Sequence, residues 1–529
     1  MSTAVDACAR ACSCTDEGKC EPAYAGRARY DGVAAREAEE FFKDEDFPVG
    51  EPTLAGDVPE GVLWKRPHEL CEDPQVFVDG ASRLDVLQGP NLGDCWLIAA
   101  CSALAEHPHL VRELIPDGLE LKPGGSENNY TGKISIRLWA CGSRFDMIID
   151  DRLPVMNTKD GLKLVFGACK ETSEFWLPLV EKAVAKYQGG YKNLRGRQIA
   201  EGLMILTGYS VNRIQLVQEN PIDNLFKFLK EELARKSLIM AAGYTKELIR
   251  ISRIVLENRR GGEECAKESV YHTYTVNKVL QLSNGRQLLR IRNPWGTETD
   301  CTGKFRITED VLRDLPSAIL DELLQCPCSD GEYWLDEKGF YDKFLELCVA
   351  NEYPSVSRNK LVPSTNVVSG RGMWEGKTVG GPPCSKTFEN NCQFLFQIDI
   401  EDKEAVKRKV PVLLELIQDL HREASLPYKS GMQIYKLVAE LATWQAVSAP
   451  EVQRYSRAQL RNSSYAQSAV AECGVAQACV VRSYFELTPH APHVAVAWVH
   501  RGVPAMGFLL RVYSPAGVFV RLRTLPDPA

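Results

Sequence analysis

The residues best suited to chemistry start with Cys95, which lies in the stretch Gln88–Leu104 (QGPNLGDCWLIAACSAL). A glycine-rich turn there runs directly into apolar residues with helical spacing, so Cys95 is expected at or just before the first turn of a helix. Unpaired backbone N–H groups and the positive end of the helix dipole stabilise a thiolate at such a position. Because the thiolate is the nucleophilic form, the pattern predicts a reactive cysteine with a lowered pKa. The alternative is an inert, buried cysteine at a helix start.

A nucleophilic cysteine needs a base, and His272 is the candidate among the eight histidines. It stands on a predicted strand, Val270–Leu282, in a later part of the chain. The other histidines follow Cys95 too closely, lie in a predicted loop, or belong to the C-terminal region. The alternative for His272 is a core histidine whose ring is satisfied by a backbone carbonyl.

Asn293 supplies a third member, because it ends the strand that returns from the strong hairpin turn Asn284–Gly285. Its side-chain carbonyl can hold an imidazole in the tautomer that takes a thiol proton. In a simple hairpin Asn293 would pair with a residue nearer the turn than His272, so a bulge or a wider loop is required. Pro294 stops the strand, and Trp295 is expected to shield the His272–Asn293 hydrogen bond from water. The alternative is a plain strand end followed by a turn.

Composition excludes several classes of protein. The chain of 529 residues is too long for one core, and 44% hydrophobic with 25% charged residues is typical of a globular protein. A net charge of −7 gives no reason to expect nucleic acid partners. No apolar run is long enough for a membrane span, and the N-terminus lacks the apolar core of a secretory signal. The 18 cysteines are therefore expected to be reduced thiols in a cytoplasmic protein.

The chain changes character along its length. Residues 1–40 form a tail with four cysteines, whose spacing is a weak signal for zinc binding; disorder and a lipid-modified anchor are the alternatives. From residue 41 the pattern is globular, with a predicted helix over Glu174–Tyr187 that ends at Gly189. Residues 356–529 contain short alternating runs, such as Phe394–Ile400, which predict an antiparallel β-sandwich.

Several local strings resemble those of the calpain family of calcium-dependent cysteine proteases. The matching strings are Gln88–Trp96, Glu174–Tyr187, Arg290–Gly296, Trp64–Pro67, Asp150–Pro154 and Asp330–Trp334. Residues 41–345 carry the resemblance most strongly. The C-terminal region is similar to the calpain β-sandwich more weakly, through Trp374, Gly380–Gly381 and the run Gly507–Ser514.

The resemblance implies an α+β fold, namely a two-lobed, papain-like protease core followed by an antiparallel β-sandwich. Lobe one would span 41–198 and carry the nucleophile helix, lobe two would span 199–350 and carry the histidine and asparagine, and the sandwich would span 356–529. The active site would lie in the cleft between the lobes.

The resemblance also implies roles for single residues. Cys95 would be the nucleophile, His272 the general base and acid, and Asn293 the orienting residue. Trp295 would shield the pair, and Gln88 would donate a hydrogen bond to the oxyanion together with the Cys95 backbone N–H.

Two features depart from the family pattern. One extra residue, near Pro90–Asn91, separates Gln88 from Cys95, which affects where the Gln88 side chain points. Tyr271 stands where the family usually has glycine before the histidine, and a ring there is expected to narrow the cleft.

Calcium is the implied cofactor, with a first site in lobe one. The Val78 and Gly80 carbonyls, the Asp85 carboxylate and Glu174 match the ligand positions of the family, and oxygen ligands in an irregular loop suit this ion. The alternative is a solvated acidic loop.

A second site in lobe two would use Asp300, Asp330 and the Glu332 carbonyl, although a further family carboxylate falls on Ile307. Calcium binding in each lobe would reorder loops so that Cys95 and His272 approach.

These observations predict an intracellular, calcium-dependent cysteine endopeptidase that makes limited cuts in protein substrates. One alternative is a catalytically inactive calpain-like protein that acts as a calcium-responsive binding or scaffold protein, and Tyr271 with the extra loop residue favours it. Another is a calcium- or lipid-responsive module in the β-sandwich, which would bring membrane or lipid contact. No EF-hand pattern is found, so pairing with an EF-hand small subunit is not expected.

Overall fold

The computed structural model separates the chain into two compact units. Unit one comprises Met1–Gly208 and Arg213–Val349, and unit two comprises Tyr209–Asn212 and Ala350–Ala529. The structure describes residues 41–54, 61–89, 92–116, 118–124, 129–159, 161–216, 222, 224–245, 270–296, 317–318, 321, 331–357, 361–401, 408–419, 430–437, 455, 464–469, 479–500 and 505–527. The predictions made for the tail at 1–40 lie outside these residues.

Helices and strands mix from residue 41 to residue 351. The helices of this part are α1 (Glu51–Leu54), α2 (Cys95–Ala105), α3 (Pro108–Leu114), α4 (Trp176–Gln188), α5 (Ile199–Thr207), α6 (Leu225–Ala234) and α7 (Glu337–Lys343). The strands are β1 (Leu63–Lys65), β2 (Val86–Leu87), β3 (Lys133–Ala140), β4 (Ser143–Asp150), β5 (Leu153–Thr158), β6 (Gly161–Leu164), β7 (Ala168–Cys169), β8 (Ser210–Gln215), β9 (Leu238–Thr245), β10 (Val270–Gln281), β11 (Gln287–Arg292), β12 (Glu332–Leu335) and β13 (Glu346–Asn351).

Helix α2 forms the centre of the first part of unit one, residues 41–208. Its residues Trp96–Ala105 are all buried, because apolar and small side chains cover every face of the helix. Helix α5 packs closely against it, since a side-chain carbon at Gly202 would lie 2.7 Å from the Trp96 carbonyl oxygen. The prediction that Cys95 begins a helix is confirmed.

Helix α4 packs beside α2 and confirms the prediction over Glu174–Tyr187. It ends at Gly189, whose φ of +81° is the left-handed conformation that glycine adopts without strain.

The second part of unit one, residues 213–349, is built on a six-stranded sheet in the order β12-β11-β10-β9-β13-β8. Strands β10 and β11 confirm the predicted hairpin and meet at a turn in which Gly285 has a φ of +83°. Apolar side chains on one face of the sheet, including Tyr274 and Ile291, pack against helices α6 and α7.

A β-bulge at Asn277 sets the register of this hairpin. Between the turn and the bulge, Lys278 pairs with Arg290; beyond it, Val276 pairs with Ile291. Without the bulge, the register would place Asn293 opposite Thr275, whose side chain lies on the face of β10 opposite to that of His272. With the bulge, the register places Asn293 opposite Tyr274, whose side chain lies on the same face as that of His272. The required irregularity is therefore present.

Unit two is an antiparallel β-sandwich, as predicted. Its strands are β14 (Asn366–Trp374), β15 (Cys392–Ile400), β16 (Val410–Gln418), β17 (Ser430–Lys436), β18 (Ser464–Ala469), β19 (Val480–Leu487), β20 (Pro492–Val499), β21 (Met506–Ser514) and β22 (Val518–Thr524). They form two sheets, β14-β21-β16-β19 and β18-β17-β20-β15-β22. The sheets share a core, where the Trp374 ring stacks on Phe508 at 4.0 Å and its indole N–H donates to Ala497 O across the sandwich at 3.2 Å.

No helix in the described part of the chain is long and apolar enough to cross a membrane.

Candidate active site

Cys95 opens helix α2 and lies under strand β10. Its Sγ is 3.9 Å from the Tyr271 carbonyl oxygen and 3.8 Å from Thr273 Oγ1, the residues on either side of His272. Among the described residues, these two are the hydrogen-bond partners of the thiol. The strand predicted to carry the base does lie against Cys95. The thiol and the imidazole are not hydrogen-bonded in this conformation.

The predicted lowering of the Cys95 pKa is wrong for this conformation. Burial of the thiol raises its pKa to about 11, and the negative charge of Asp94 adds to the rise. The hydrogen bond with Thr273 acts in the opposite direction. Desolvation under β10 outweighs the helix terminus because it penalises the thiolate directly.

His272 and Asn293 form the hydrogen bond predicted for them. His272 Nε2 lies 2.9 Å from Asn293 Oδ1, and both side chains are buried, with 2% and 0% exposure. The backbone N–H of Trp295 also donates to Asn293 Oδ1, at 3.0 Å, which fixes that atom as the carbonyl oxygen. His272 Nε2 must then carry a proton, and Nδ1 is the basic nitrogen.

Trp295 covers this pair and also connects it to Gln88. Its ring lies 5.3 Å from the His272 ring at an angle of 64°. The indole N–H donates to Gln88 Oε1 at 2.7 Å, and the Gln88 backbone N–H donates to Pro294 O at 2.9 Å. The segment that precedes Cys95 is thus fastened to the segment that follows Asn293.

The Gln88 amide nitrogen has partners of its own. Nε2 donates to Leu92 O at 3.0 Å and to Asp94 Oδ1 at 3.2 Å. Glycine at position 89 permits this loop conformation, because a side-chain carbon there would lie 2.3 Å from Phe166 O. The extra residue near Pro90–Asn91 lies outside the described residues.

Tyr271, whose backbone carbonyl contacts the thiol, has a partly exposed side chain. Its side chain is 36% exposed, and its hydroxyl donates to Glu346 Oε2 at 3.0 Å. Arg213 pairs with the same carboxylate at 2.8 Å. The Tyr271 hydroxyl is therefore held by the carboxylate that also pairs with Arg213.

The first set of predicted calcium ligands converges in part. Glu174 Oε2 accepts the Val78 N–H at 3.0 Å, while Glu174 Oε1 is buried with no hydrogen-bond partner among the described residues. Burial raises the pKa of Glu174 to about 7, and the negative charge of Asp85 contributes. An orphaned buried carboxylate oxygen near a second carboxylate fits a cation. Gly80 lies in the same loop with a φ of +88°.

The second set is described only at Glu332, since Asp300 and Asp330 lie outside the described residues. The Glu332 carboxylate accepts from Arg83 Nε at 2.9 Å and from Asn277 Nδ2 at 2.8 Å. Arg83 also pairs with Glu106 at 2.6 Å. Its guanidinium therefore joins the two parts of unit one beside the loop that holds Gly80.

Sequence reasoning missed a pair of buried carboxyl groups behind Cys95, those of Asp94 and Glu181. Burial and the negative charge of Asp94 raise the pKa of Glu181, although 87 positions separate the two residues. A signal was present, because Glu181 falls among apolar residues of a helix, although Lys182 and Gln188 are buried there as well.

Comparison with known proteins agrees with this architecture. Residues 42–351 match the family profile "Calpain family cysteine protease", and residues 370–478 match "Calpain large subunit, domain III". Human calpain-12 is 34% identical over 380 residues, covering 69% of this chain and 49% of that protein. The human calpain-1 catalytic subunit is 33% identical over 376 residues, covering 68% and 49%. Calpain-10 of Macaca fascicularis is 31% identical over 388 residues, covering 69% and 56%.

The fold and the matched profile define a cysteine protease core followed by a domain III. The chain belongs to the calpain family. It spans about half the length of the curated relatives named above.

Proposed function

We propose that this chain is a cytoplasmic, calcium-dependent cysteine endopeptidase that makes limited cuts in protein substrates. One observation carries the proposal. His272 is hydrogen-bonded to Asn293, and the residues on either side of it in β10, Tyr271 and Thr273, contact Cys95 Sγ. Because Thr273 lies on the face of β10 opposite to His272, the proposal requires a rearrangement that brings the thiol and the imidazole together.

The proposed chemistry follows from the tautomer of His272. Nδ1 takes the thiol proton, and Cys95 Sγ attacks the scissile carbonyl carbon. The tetrahedral intermediate collapses as Nδ1 gives its proton to the leaving amine, so an acyl-enzyme remains. Nδ1 then accepts a proton from water, which attacks the thioester and releases the acid and the thiol. Asn293 keeps the ring in the required orientation throughout.

The oxyanion of each intermediate needs donors. Gln88 Nε2 and the backbone N–H of Cys95 are the proposed pair, and each such donor contributes about 3 kcal/mol to lowering the barrier. Because Gln88 Nε2 faces Leu92 and Asp94 in this conformation, forming the oxyanion hole includes a reorientation of that amide.

Calcium fits the first site on the chemistry of its donors. Glu174, Asp85 and the Val78 and Gly80 carbonyls would hold it, and the bound ion would supply positive charge to the orphaned oxygen of Glu174. The loop that carries these ligands leads directly to Gln88 and Cys95, so its order controls where the thiol lies.

Casein cleavage with and without calcium tests the proposal. The native chain should cleave casein only with calcium, and Cys95→Ser should not cleave it. Equal cleavage by Cys95→Ser, or none by the native chain, would reject the proposal.

A calcium titration tests the first ion site. Asp85→Ala should move half-maximal activation to higher calcium, and calorimetry should show weaker binding. The exposed Asp73 provides the control, since it pairs with Lys122 outside this loop and Asp73→Ala should leave both curves unchanged. An unchanged curve for Asp85→Ala would exclude the site.

The second candidate is a catalytically inactive protein that binds partners. The observation in its favour is that the Cys95 thiol bonds to the backbone of Tyr271 and to Thr273, with a pKa raised to about 11. Calcium binding without cleavage of any protein substrate would support this function.

A further inference from the structure

A side-chain hydrogen bond fixes the start of strand β10 in addition to its backbone pairing. Tyr271 pairs with Tyr244 of β9, and its hydroxyl donates to Glu346 Oε2 at 3.0 Å. Glu346 belongs to β13, which lies on the far side of β9 in the sheet. Because neighbouring strands are spaced by about 4.8 Å, the two side chains together bridge about 10 Å. The bond therefore joins two strands that do not pair with each other.

The acceptor of this bond is itself held firmly. Glu346 is only 4% exposed, and its carboxylate accepts from Arg213 Nη2 at 2.8 Å and also from Arg213 Nε. Burial, together with the negative charge of Glu346, raises the pKa of the Tyr271 phenol, so the hydroxyl keeps its proton and stays a donor. Hydrogen bonds to an ionised acceptor are stronger than those between neutral groups. Tyr271, Glu346 and Arg213 are called the hydroxyl latch below.

The hydroxyl latch acts on the residues that contact the nucleophile. Cys95 Sγ lies 3.9 Å from the Tyr271 carbonyl oxygen and 3.8 Å from Thr273 Oγ1. Because side chains alternate along a strand, those of Tyr271 and Thr273 share one face of β10, and that of His272 lies on the other. Holding Tyr271 through its hydroxyl therefore keeps the Thr273 face of β10 turned toward Cys95.

We infer that Tyr271 is a positioning residue for Cys95, and that the hydroxyl latch holds the thiol on Thr273 and away from the imidazole. The contact is autoinhibitory, because the thiol cannot meet the base while the start of β10 is held in this orientation. A glycine at this position would have no hydroxyl to make the bond. The inference concerns the position of the thiol, so it does not rest on the proposed protease activity.

Alkylation of Cys95 in the absence of calcium tests the inference. Tyr271→Phe keeps the ring and removes the hydroxyl, so the covered arrangement of the thiol loses one hydrogen bond to a charged group. Cys95 should then react with iodoacetamide about tenfold faster than in the wild type at pH 8. An unchanged rate would overturn the inference.

Two internal comparisons separate positioning from general loosening of the fold. Tyr130→Phe is the matched control, since Tyr130 also donates its hydroxyl to a carboxylate, Asp151 Oδ2, at 2.7 Å. It should leave the Cys95 rate unchanged. Cys101 lies on the same helix and is fully buried, so its alkylation reports unfolding. Equal acceleration at Cys101 in Tyr271→Phe, or of Cys95 in Tyr130→Phe, would contradict a role in positioning.

A double-mutant cycle identifies the partner of the hydroxyl. Glu346→Asp keeps the charge but shortens the side chain, so its carboxylate no longer bridges β9 to the phenol. This variant should accelerate Cys95 alkylation by itself. Adding Tyr271→Phe should then change the rate less than twofold. A full tenfold effect of Tyr271→Phe in the Glu346→Asp background would show that the hydroxyl acts through another contact and would reject the latch.

The alkylation rates need neither calcium nor a substrate, so they are independent of the casein test. Faster alkylation in Tyr271→Phe, combined with no casein cleavage by the native chain, would support the latch and reject the proposed function. Casein cleavage combined with an unchanged alkylation rate would reject the latch alone.

Discussion

The two sides of the candidate site differ in how completely they are formed. On the imidazole side, His272, Asn293 and Trp295 are joined by hydrogen bonds of 2.9 and 3.0 Å in a buried setting. On the thiol side, Cys95 has only distant contacts of 3.8 and 3.9 Å, and Gln88 donates its amide N–H groups away from the expected oxyanion.

This difference shows which side has to move. Breaking the His272–Asn293 bond would leave buried polar groups unsatisfied, at about 1–3 kcal/mol for each group. The contacts of a thiol are weaker, so displacing Cys95 costs less. We therefore expect activation to rearrange the loop and helix start at Cys95 while the imidazole side stays as it is.

The largest effect is expected for His272→Ala. Loss of the base should lower kcat/KM for casein about 10⁴-fold at saturating calcium, because proton transfer from the thiol and to the leaving amine both depend on it. The double variant, His272→Ala with Cys95→Ala, should have the same kcat/KM as Cys95→Ala alone. A further loss in the double variant would mean that the two residues do not act as a unit.

Deleting Asn277 should be the next most harmful change. Without the bulge Asn293 turns to the other face of β10, so kcat should fall roughly 100-fold, as expected for loss of the residue that orients the base. Asn277→Ala keeps the residue count and should retain most activity.

The Asn293→Ala background provides the check on this interpretation. In that background, deletion of Asn277 should lower kcat little further, provided that thermal unfolding shows a folded protein. A large further loss would mean that the bulge acts on something other than Asn293.

The position of the imidazole side could be predicted from sequence because its signals are local. Apolar alternation defines β10, Asn284–Gly285 defines the turn, and the order of cysteine, histidine and asparagine suggests the chemistry. The place of the bulge could not be predicted, since no local residue type distinguishes Asn277 from its neighbours.

The state of the thiol depends on tertiary structure instead. Helix position alone predicts a lowered pKa for Cys95, but the strand that covers it is 176 positions away in the sequence and reverses the sign. The effect of Asp94 on the pKa of Glu181 depends in the same way on helix packing. Burial produced by distant segments is therefore the part of this site that local patterns miss.

The raised pKa of Cys95 predicts slow alkylation in the absence of calcium. The thiolate is the reacting form, so a pKa of about 11 instead of 9 makes reaction with iodoacetamide roughly 100-fold slower near pH 8, and the rate should rise as pH increases toward 11. Calcium should accelerate the reaction if activation moves the thiol to His272.

Mass spectrometry of the separate cysteine peptides measures this rate. The exposed Cys384 in unit two is the internal reference, and its alkylation should not respond to calcium. Fast alkylation of Cys95 without calcium would mean that the thiol side is already formed, which would remove the contrast between the two sides.

The smallest effect is expected for Trp295→Phe, which keeps an aromatic cover over His272 but removes the indole N–H. The substitution is chosen to remove the hydrogen bond to Gln88 Oε1. Because a hydrogen bond of this kind contributes about 1 kcal/mol, kcat should fall about fivefold. In a Gln88→Ala background the substitution should have no effect on kcat. If the loss persists there, Trp295 acts by shielding the His272–Asn293 pair from water, and the imidazole side would depend on ring shape rather than on its connection to the thiol side.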